Sequence, residues 1–528
     1  MSDYLVIGGG SAGCIVAARL SEDPAVRVTL LEAGPGDRDP WIHIPAGYAR
    51  LFQSGKYDWR FATEPEPELG GRSVNWPRGR VLGGSGSING MAYLRGSPHD
   101  FDRWAQAGAR GWSHADVLPA FQRMERWDGP PGATRGVSGP ITVTEPGLSV
   151  GGRAFVEACR RLGFPHGQDV NDGTIEGVGP IQMNVRAGLR VSTARAYLKP
   201  ARSRPNLQVL TGTTADRVLI EDGRAVGCVA RRADGTTFEL RAAREVVVCT
   251  GAIGSPQLLM LSGIGDGVAL QAMGLPVHVN RPAVGQNLQD HLIARAVFRT
   301  RPAGTLNEIM ASPVRTVGMA AQYALRRRGP MAVGAGEAVL FARVTPDAEE
   351  AEVQIMFINF SLVPGAGYTL ARHPGMMINF GQCRPDSRGT LRLRSPKPGD
   401  KPLIQANYLS APGDQDMMLR AARLTRRIGR AVPLRDMVLE ELAPTPDLED
   451  DKALLDHLRA TATTVYHPCG TCRMGSDTAA VVDPQLRVRG VAGLRVADAS
   501  VMPLVPSSNI QPAVMMVGER AVDFIRDG

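Results

Sequence analysis

Gly8-Gly9-Gly10-Ser11-Ala12-Gly13 fits G-x-G-x-x-G, directly after the apolar run Tyr4-Leu5-Val6-Ile7 and 24 residues ahead of Glu32. A second β-rich run, Val26 to Leu31, leads straight into that glutamate. The order strand, tight turn, helix, strand, acid is that of a dinucleotide site. Gly8 permits the sharp turn, Gly10 lets the backbone approach a pyrophosphate, and Gly13 lets the helix pack close to the strand. The helix N-terminus offers free N–H groups to phosphate, and Glu32 can accept from a ribose hydroxyl. A second loop, Gly79-Arg80-Val81-Leu82-Gly83-Gly84-Ser85-Gly86-Ser87-Ile88-Asn89-Gly90, is rich in unobstructed N–H groups and can wrap a planar ring or a phosphate. A third group is Tyr466-His467-Pro468-Cys469-Gly470-Thr471-Cys472. An imidazole there can take a proton near neutral pH, although residue type alone equally describes a core histidine. Cys469 and Cys472 form C-x-x-C, but no second ligand pair follows at a zinc-like spacing.

The elements that must position these groups fall into blocks. Up to about residue 145 lie the nucleotide turn, a loop-rich stretch with Trp41, Tyr48, Tyr57, Trp59, Phe61 and Trp76, and core aromatics Trp104, Trp112 and Phe121. Strands are predicted at Leu207 to Leu210, Ala215 to Ile220 and Ala225 to Arg231, with a hairpin turn at Glu221-Asp222-Gly223. A buried strand, Glu245 to Thr250, enters Gly251-Ala252-Ile253-Gly254-Ser255-Pro256, and a helix is expected from Pro256. An α+β lobe follows. It has helices near Pro313 to Arg326 and Asp414 to Arg430, and strands at Val353 to Phe360, Met377 to Cys383 and Gly389 to Arg394. The last block returns to the first style, with a strand at Leu494 to Ala497, then Asp498, then a terminal helix from Pro512.

Bulk properties narrow the class. The 528 residues exceed one ordinary core, so two or more lobes are expected. The charge of +8 comes from scattered basic residues, with no basic stripe carrying interleaved aromatics, which argues against nucleic acid. No run of 18 or more apolar residues and no cleavable leader is visible. The expected location is cytoplasmic, with peripheral contact at a membrane left open. Seven cysteines, several in apparent core elements, fit reduced structural thiols.

The 79–90 loop, the segment Gly251 to Gly265 (G-A-I-G-S-P-Q-L-L-M-L-S-G-I-G), the His467 block and Gly493-Leu494-Arg495-Val496-Ala497-Asp498-Ala499-Ser500 together resemble the glucose–methanol–choline (GMC) flavin oxidoreductases, over essentially the whole chain. The chain looks most like the bacterial choline-dehydrogenase-like alcohol and polyol dehydrogenases. The resemblance implies an α/β, Rossmann-like FAD-binding domain from residues 1–145, 190–300 and 462–528, with an inserted α+β substrate-binding lobe from 146–189 and 301–461. It implies FAD as cofactor. Gly10, Ser11, Glu32 and Ala33 would hold the ADP half and Val218 would touch the adenine. Asn89, Gly90, Met91 and Ala92 would line the isoalloxazine, and Asp498 and Ala499 the ribityl and pyrophosphate region. Gly8, Gly13, Trp59, Arg80, Gly83, Gly84, Gly251, Tyr466 and Pro512 complete the implied cofactor set.

The implied reaction is hydride transfer from an alcohol carbon to flavin N5, with His467 as the base and O2, a quinone or an artificial dye as electron acceptor. His291, in Gln286-Asn287-Leu288-Gln289-Asp290-His291, reads as structural. Two positions depart from the family pattern. Ile88 stands where members that tether FAD carry a histidine, so the cofactor is expected to be non-covalent. At the position that pairs with the catalytic histidine, alignment on the terminal helix places Gln511, with Asn509 two residues earlier. Gln511 is therefore the expected second catalytic residue, and Asn509 a folding residue. Two other functions compete. Cys383-Arg384-Pro385 is similar to a feature of the light-driven fatty-acid decarboxylases of the same family, and a flavin-bearing protein without turnover is the third reading. His467 disfavours both.

Overall fold

The structure is a computed structural model that describes residues 1–167, 169–363 and 368–528. Its first sheet is built around Ser2–Ile7, whose Leu5, Val6 and Ile7 are buried as expected of a strand covered on both faces. This strand runs parallel to Val28–Glu32 on one side and to Thr237–Val248 on the other. Leu207–Thr211 extends the parallel order beyond Val28–Glu32, and Leu494–Val496 extends it beyond Val246–Val248. The 12-residue strand Thr237–Val248 has two characters. Its first half alternates exposed and half-buried residues and pairs antiparallel with Arg224–Arg232, which pairs antiparallel with Thr213–Glu221. Its last three residues are continuous buried valine and belong to the parallel part. The hairpin turn falls at Asp222 and Gly223, whose φ values of 47° and 74° are the left-handed pair that a two-residue turn requires.

The first crossover helix, Ser11–Leu20, packs against the terminal helix Gln511–Arg526 through small residues. A Cβ on Gly518 would lie 3.1 Å from the Ala12 Cα. Buried Glu519 locks the pair by accepting from Arg19, Arg123 and the Tyr197 hydroxyl (2.6 Å). The helix expected from Pro256 begins five residues earlier, spanning Gly251–Leu261. Proline inside a helix leaves the carbonyl four residues back without its N–H partner. Here the Thr471 hydroxyl takes that role, donating to the Ala252 carbonyl at 2.6 Å.

The second sheet is antiparallel throughout, in the order Val438–Ala443, Leu292–Thr300, Gly375–Gln382, Val353–Ile358, Ala338–Ala342, Gly177–Pro180. Thr463–Thr464 pairs with its Leu292 end. The sequence boundary at residue 300 placed Leu292–Thr300 with the nucleotide lobe; it lies in the second sheet. The physical reason is visible in its pattern. Ala294, Ala296 and Phe298 point into a core covered by the helix Pro412–Gly429, whereas Ile293 and Arg295 face the opposite way, a period of two that suits a sheet with unlike faces. The same alternation puts Ile355, Phe357, Met376, Ile378 and Phe380 in the core and Met356, Ile358, Met377 and Asn379 on the other face. That face forms one wall of a cavity between the two sheets. No helix among the described residues is long and apolar enough to cross a membrane.

Candidate active site

The cavity, about 390 Å³, runs from the Gly8–Ser11 turn to the second sheet. At the turn, glycine is required sterically. Gly8 has φ 102°, and a Cβ on it would lie 2.5 Å from the Cys249 carbonyl oxygen. A Cβ on Gly13 would lie 1.9 Å from the Gly8 oxygen, so the helix could not approach the strand. Gly84, at φ 57°, brings the second loop so close that its Cβ would stand 2.8 Å from the Gly10 Cα. The helix Ser11–Leu20 has no side-chain cap at its N-terminus, which leaves its first N–H groups for an anion.

Two buried carboxylates flank this cradle. Glu32 accepts from the N–H groups of Gly9 (3.0 Å) and Gly34 (2.7 Å), and burial pushes its pKa up to about 7. Asp498 accepts from the Gly251 N–H at 2.8 Å, the Ser255 hydroxyl at 2.5 Å and the Ser500 N–H at 2.8 Å; burial raises it as well. It thus ties the helix Gly251–Leu261 to the last block of the chain.

Of the expected cofactor residues, Gly8, Gly10, Ser11, Glu32, Ala33, Trp59, Gly84, Asn89, Gly90, Met91, Ala92, Gly251, Tyr466, Asp498 and Ala499 line the cavity. Gly13 and Pro512 lie behind the wall, and the Gly83 N–H supports the Gly9 carbonyl at 2.7 Å. Arg80 is exposed, its guanidinium 4.8 Å above the Trp59 ring. Val218, expected to touch the adenine, is not among the residues that line the cavity. Its side chain is buried in the core and its N–H donates to the Ser262 hydroxyl; Thr213, Thr214 and Ala215, earlier on the same strand, form the wall instead.

At the other end of the cavity His467 is held by its backbone. Its N–H donates to Asp290 at 2.6 Å, while the preceding carbonyl, of Tyr466, accepts from Arg78 at 2.8 Å. Asp290 also accepts from the hydroxyls of Thr464 (2.5 Å) and Tyr408, and burial pushes it up to about 6. Tyr466 is kept at φ 70°, an unfavourable value for a non-glycine residue that this double clamp maintains.

The side-chain contacts determine where protons sit. His291 Nε2 is 2.8 Å from the Cys383 carbonyl oxygen, which can only accept, so Nε2 carries hydrogen. In a neutral ring, His291 Nδ1 is then an acceptor. It lies 2.9 Å from His467 Nδ1, which must donate. His467 Nε2 is left with a lone pair, and Asn509 Nδ2 donates to it at 3.1 Å. The Asn509 amide faces this way because its oxygen accepts from Gln354 Nε2 at 3.3 Å. Both imidazoles are neutral at ordinary pH. Burial pushes His291 down to about 4, and burial with His291 and Arg78 alongside holds His467 well below its usual value.

This geometry corrects two expectations. Asn509, not Gln511, touches His467. Gln511 lines the cavity but turns its oxygen to the Asn89 amide, leaving its own buried Nε2 without a partner among the described residues. The reason is local: the terminal helix starts at Gln511, which is displaced from Asn509 by the turn that begins it. His291, read as structural, is in direct contact with the imidazole it would have to serve. Arg190 also escaped the sequence reading. Wholly buried, it donates to the Asn89 side chain (2.6 Å), the Asn89 carbonyl (2.8 Å) and the Ile42 carbonyl (2.7 Å), so it shapes the 86–90 loop without an acidic partner. Burial pushes it down to about 9, which still leaves it charged near neutrality. A lone arginine in the apolar-edged run Leu189 to Val191 was the available signal. Arg384, by contrast, is spent on Asp100 and Glu350, and neither it nor Cys383 lines the cavity.

The steric demand for glycine at Gly8, Gly13 and Gly84, the uncapped helix and the buried Glu32 fit a dinucleotide, and the unpartnered Gln511 amide beside Asn89 fits a polar ring edge. Comparison with known proteins agrees. GMC oxidoreductase family profiles match residues 2–293 and 385–518. An uncharacterised GMC-type oxidoreductase of Mycobacterium tuberculosis is 44% identical over 99% of both chains. An oxygen-dependent choline dehydrogenase of Brucella canis is 41% identical over 99% of this chain and 95% of its own. The crystal structure of pyridoxine 4-oxidase from Mesorbium loti superposes with a TM-score of 0.90 at 34% identity, covering both chains completely. The chain belongs to the GMC oxidoreductase family, and it is an FAD-dependent oxidoreductase acting on CH–OH donors.

Proposed function

We propose that this protein oxidises an alcohol with His467 as general base and Asn509 as its partner at the substrate oxygen. Bound FAD supplies the hydride acceptor. The observation that carries the reading is the proton order Cys383 carbonyl, His291, His467, Asn509, which leaves the His467 Nε2 lone pair facing the cavity. An alcohol hydroxyl that displaces the Asn509 amide from Nε2 donates its proton there. The Asn509 Nδ2–H groups are then free to hold the oxygen as the carbon loses hydride. His291 keeps accepting from His467 Nδ1 throughout, so the ring neither turns nor changes tautomer. Gln511 stays with Asn89 in the FAD-holding set, with Arg190 behind them fixing the loop. The decarboxylase reading gains nothing from the structure, because Cys383 and Arg384 are engaged elsewhere.

The test is His467→Ala. It should keep FAD bound, since the glycine loops hold the cofactor, and should slow anaerobic flavin reduction by alcohols roughly 10²- to 10⁴-fold. Bleaching at the wild-type rate would refute the assignment.

A further inference from the structure

Away from Thr464 at its His467 end, the cavity wall formed by the second sheet is, among the described residues, apolar or aromatic except at one place. Met356, Ile358, Met377 and Phe360 line it, and Phe52 stacks on both Tyr368 (5.4 Å) and Tyr466 (5.4 Å). Within this wall Arg295 and Asn379 lie directly opposite each other on adjacent antiparallel strands. Both point into the cavity. Arg295 makes no hydrogen bond or ion pair among the described residues, and its Nε is buried without a partner. The Asn379 amide oxygen is likewise buried and unpartnered. Among the described residues, the acidic side chains lining the cavity are Glu32 and Asp498, which belong to the nucleotide end and are already engaged. Residues 364–367, Pro-Gly-Ala-Gly, add no ionisable side chain.

An arginine aimed into a largely apolar cavity without a counter-charge is an incomplete pair. Its planar fork matches a carboxylate, and the facing amide can donate to the same group. A quaternary ammonium would meet like charge here and find no acid. We infer that the substrate is an alcohol bearing a carboxylate, gripped by Arg295 with Asn379. The inference rests on the alcohol-oxidation reading and names its substrate class. Position along the strand adds the shape of the molecule. Arg295 and His291 share a parity and are four residues apart, about 13 Å between Cα atoms in an extended strand. His291 marks the His467 end. The carboxylate is therefore several bonds removed from the carbinol carbon, as in 4-(hydroxymethyl)benzoate and unlike an α-hydroxy acid.

The experiment uses the FAD-loaded enzyme, its Arg295→Met and Arg295→Lys variants, and three probes: benzoate, benzyl alcohol and 4-(hydroxymethyl)benzoate. Benzoate titration should perturb the flavin spectrum of the wild type, with affinity weakened about tenfold or more in Arg295→Met and only partly restored in Arg295→Lys, which keeps the charge but not the fork. kcat/KM should favour the carboxylated alcohol over benzyl alcohol about tenfold or more, and the preference should vanish in Arg295→Met. Benzoate that fails to bind the wild type, or binds Arg295→Met equally well, overturns the inference even if both alcohols are oxidised. If benzoate binding depends on Arg295 but neither alcohol reduces the flavin, the anion site stands and the alcohol-oxidation reading is what fails.

Discussion

His291→Phe separates a relay of proton positions from mere packing around His467. In the wild type, His467 Nδ1–H has one acceptor among the described residues, His291 Nδ1 at 2.9 Å, and both rings are buried. Phenylalanine fills comparable space but accepts nothing. A buried N–H left without a partner costs about 1–3 kcal/mol. His467 avoids that cost by moving its proton to Nε2, where the Asn509 amide can reverse and accept. The lone pair then faces the wrong way. An energy difference of about 1–3 kcal/mol corresponds to a 5- to 150-fold excess of the unproductive tautomer, and flavin reduction at saturating alcohol should slow by that factor. Stopped-flow reduction without oxygen reads the rate, and the flavin-to-protein ratio should stay unchanged. His291→Gln, which retains an acceptor, should recover part of the loss. Two results would refute the reasoning: wild-type reduction in His291→Phe, or ¹⁵N imidazole shifts placing the His467 proton on Nε2 in the unmodified enzyme.

The other predictions concern the cofactor end and the terminal helix. Glu32 sits at about 7 in the folded apoprotein against an ordinary 4.5, so the folded chain holds a proton that the unfolded chain has released between those values. Stability of the apoprotein should therefore fall as pH rises from 4.5 to 7, by about 3 kcal/mol from this group, and Glu32→Gln should flatten that slope in denaturant titrations at matched pH. Because a ribose hydroxyl favours the ionised carboxylate, FAD affinity should rise with pH and level off near 7 in wild type only. Ile88 lines the cavity and offers no nucleophile, so acid precipitation should leave the yellow colour in the supernatant; a coloured pellet would contradict this. Asn509→Ala should slow flavin reduction with FAD retained, whereas Gln511→Leu should mainly weaken FAD binding; the reverse pattern in stopped-flow and cofactor-loading measurements would overturn the geometry's division of labour.

The parts of the fold legible in the chain were those fixed by short-range rules. The Gly8–Gly13 turn, the Asp222-Gly223 hairpin and the helix Pro313–Arg326 each follow from local backbone demands. Where the outcome depended on distant partners, local rules misled. Pro256 looked like a helix start because nothing nearby revealed that Thr471 would supply its lost hydrogen bond. His291 and His467 are 176 positions apart, and no local pattern announces that their rings meet. Gln511 was favoured over Asn509 by counting back from an apolar helix, but side-chain direction at a helix start depends on the turn, which counting does not describe. Val218 and Thr213 to Ala215 share one strand, and only its register against the neighbouring helix decides which reaches the cavity.

The parallel sheet also sets a clock for synthesis. Val246, Val247 and Val248 lie beside Ser2–Ile7 on one edge and Leu494–Val496 on the other. At translation rates of 5–20 residues per second, that last strand emerges roughly 12–50 s after the valine run. During the interval the valine run has an open edge of the kind that recruits other chains, and Asp498, Asn509 and the helix that carries Glu519 do not yet exist. Closure of the sheet, and with it completion of the cradle around Asp498, therefore waits for the final strand.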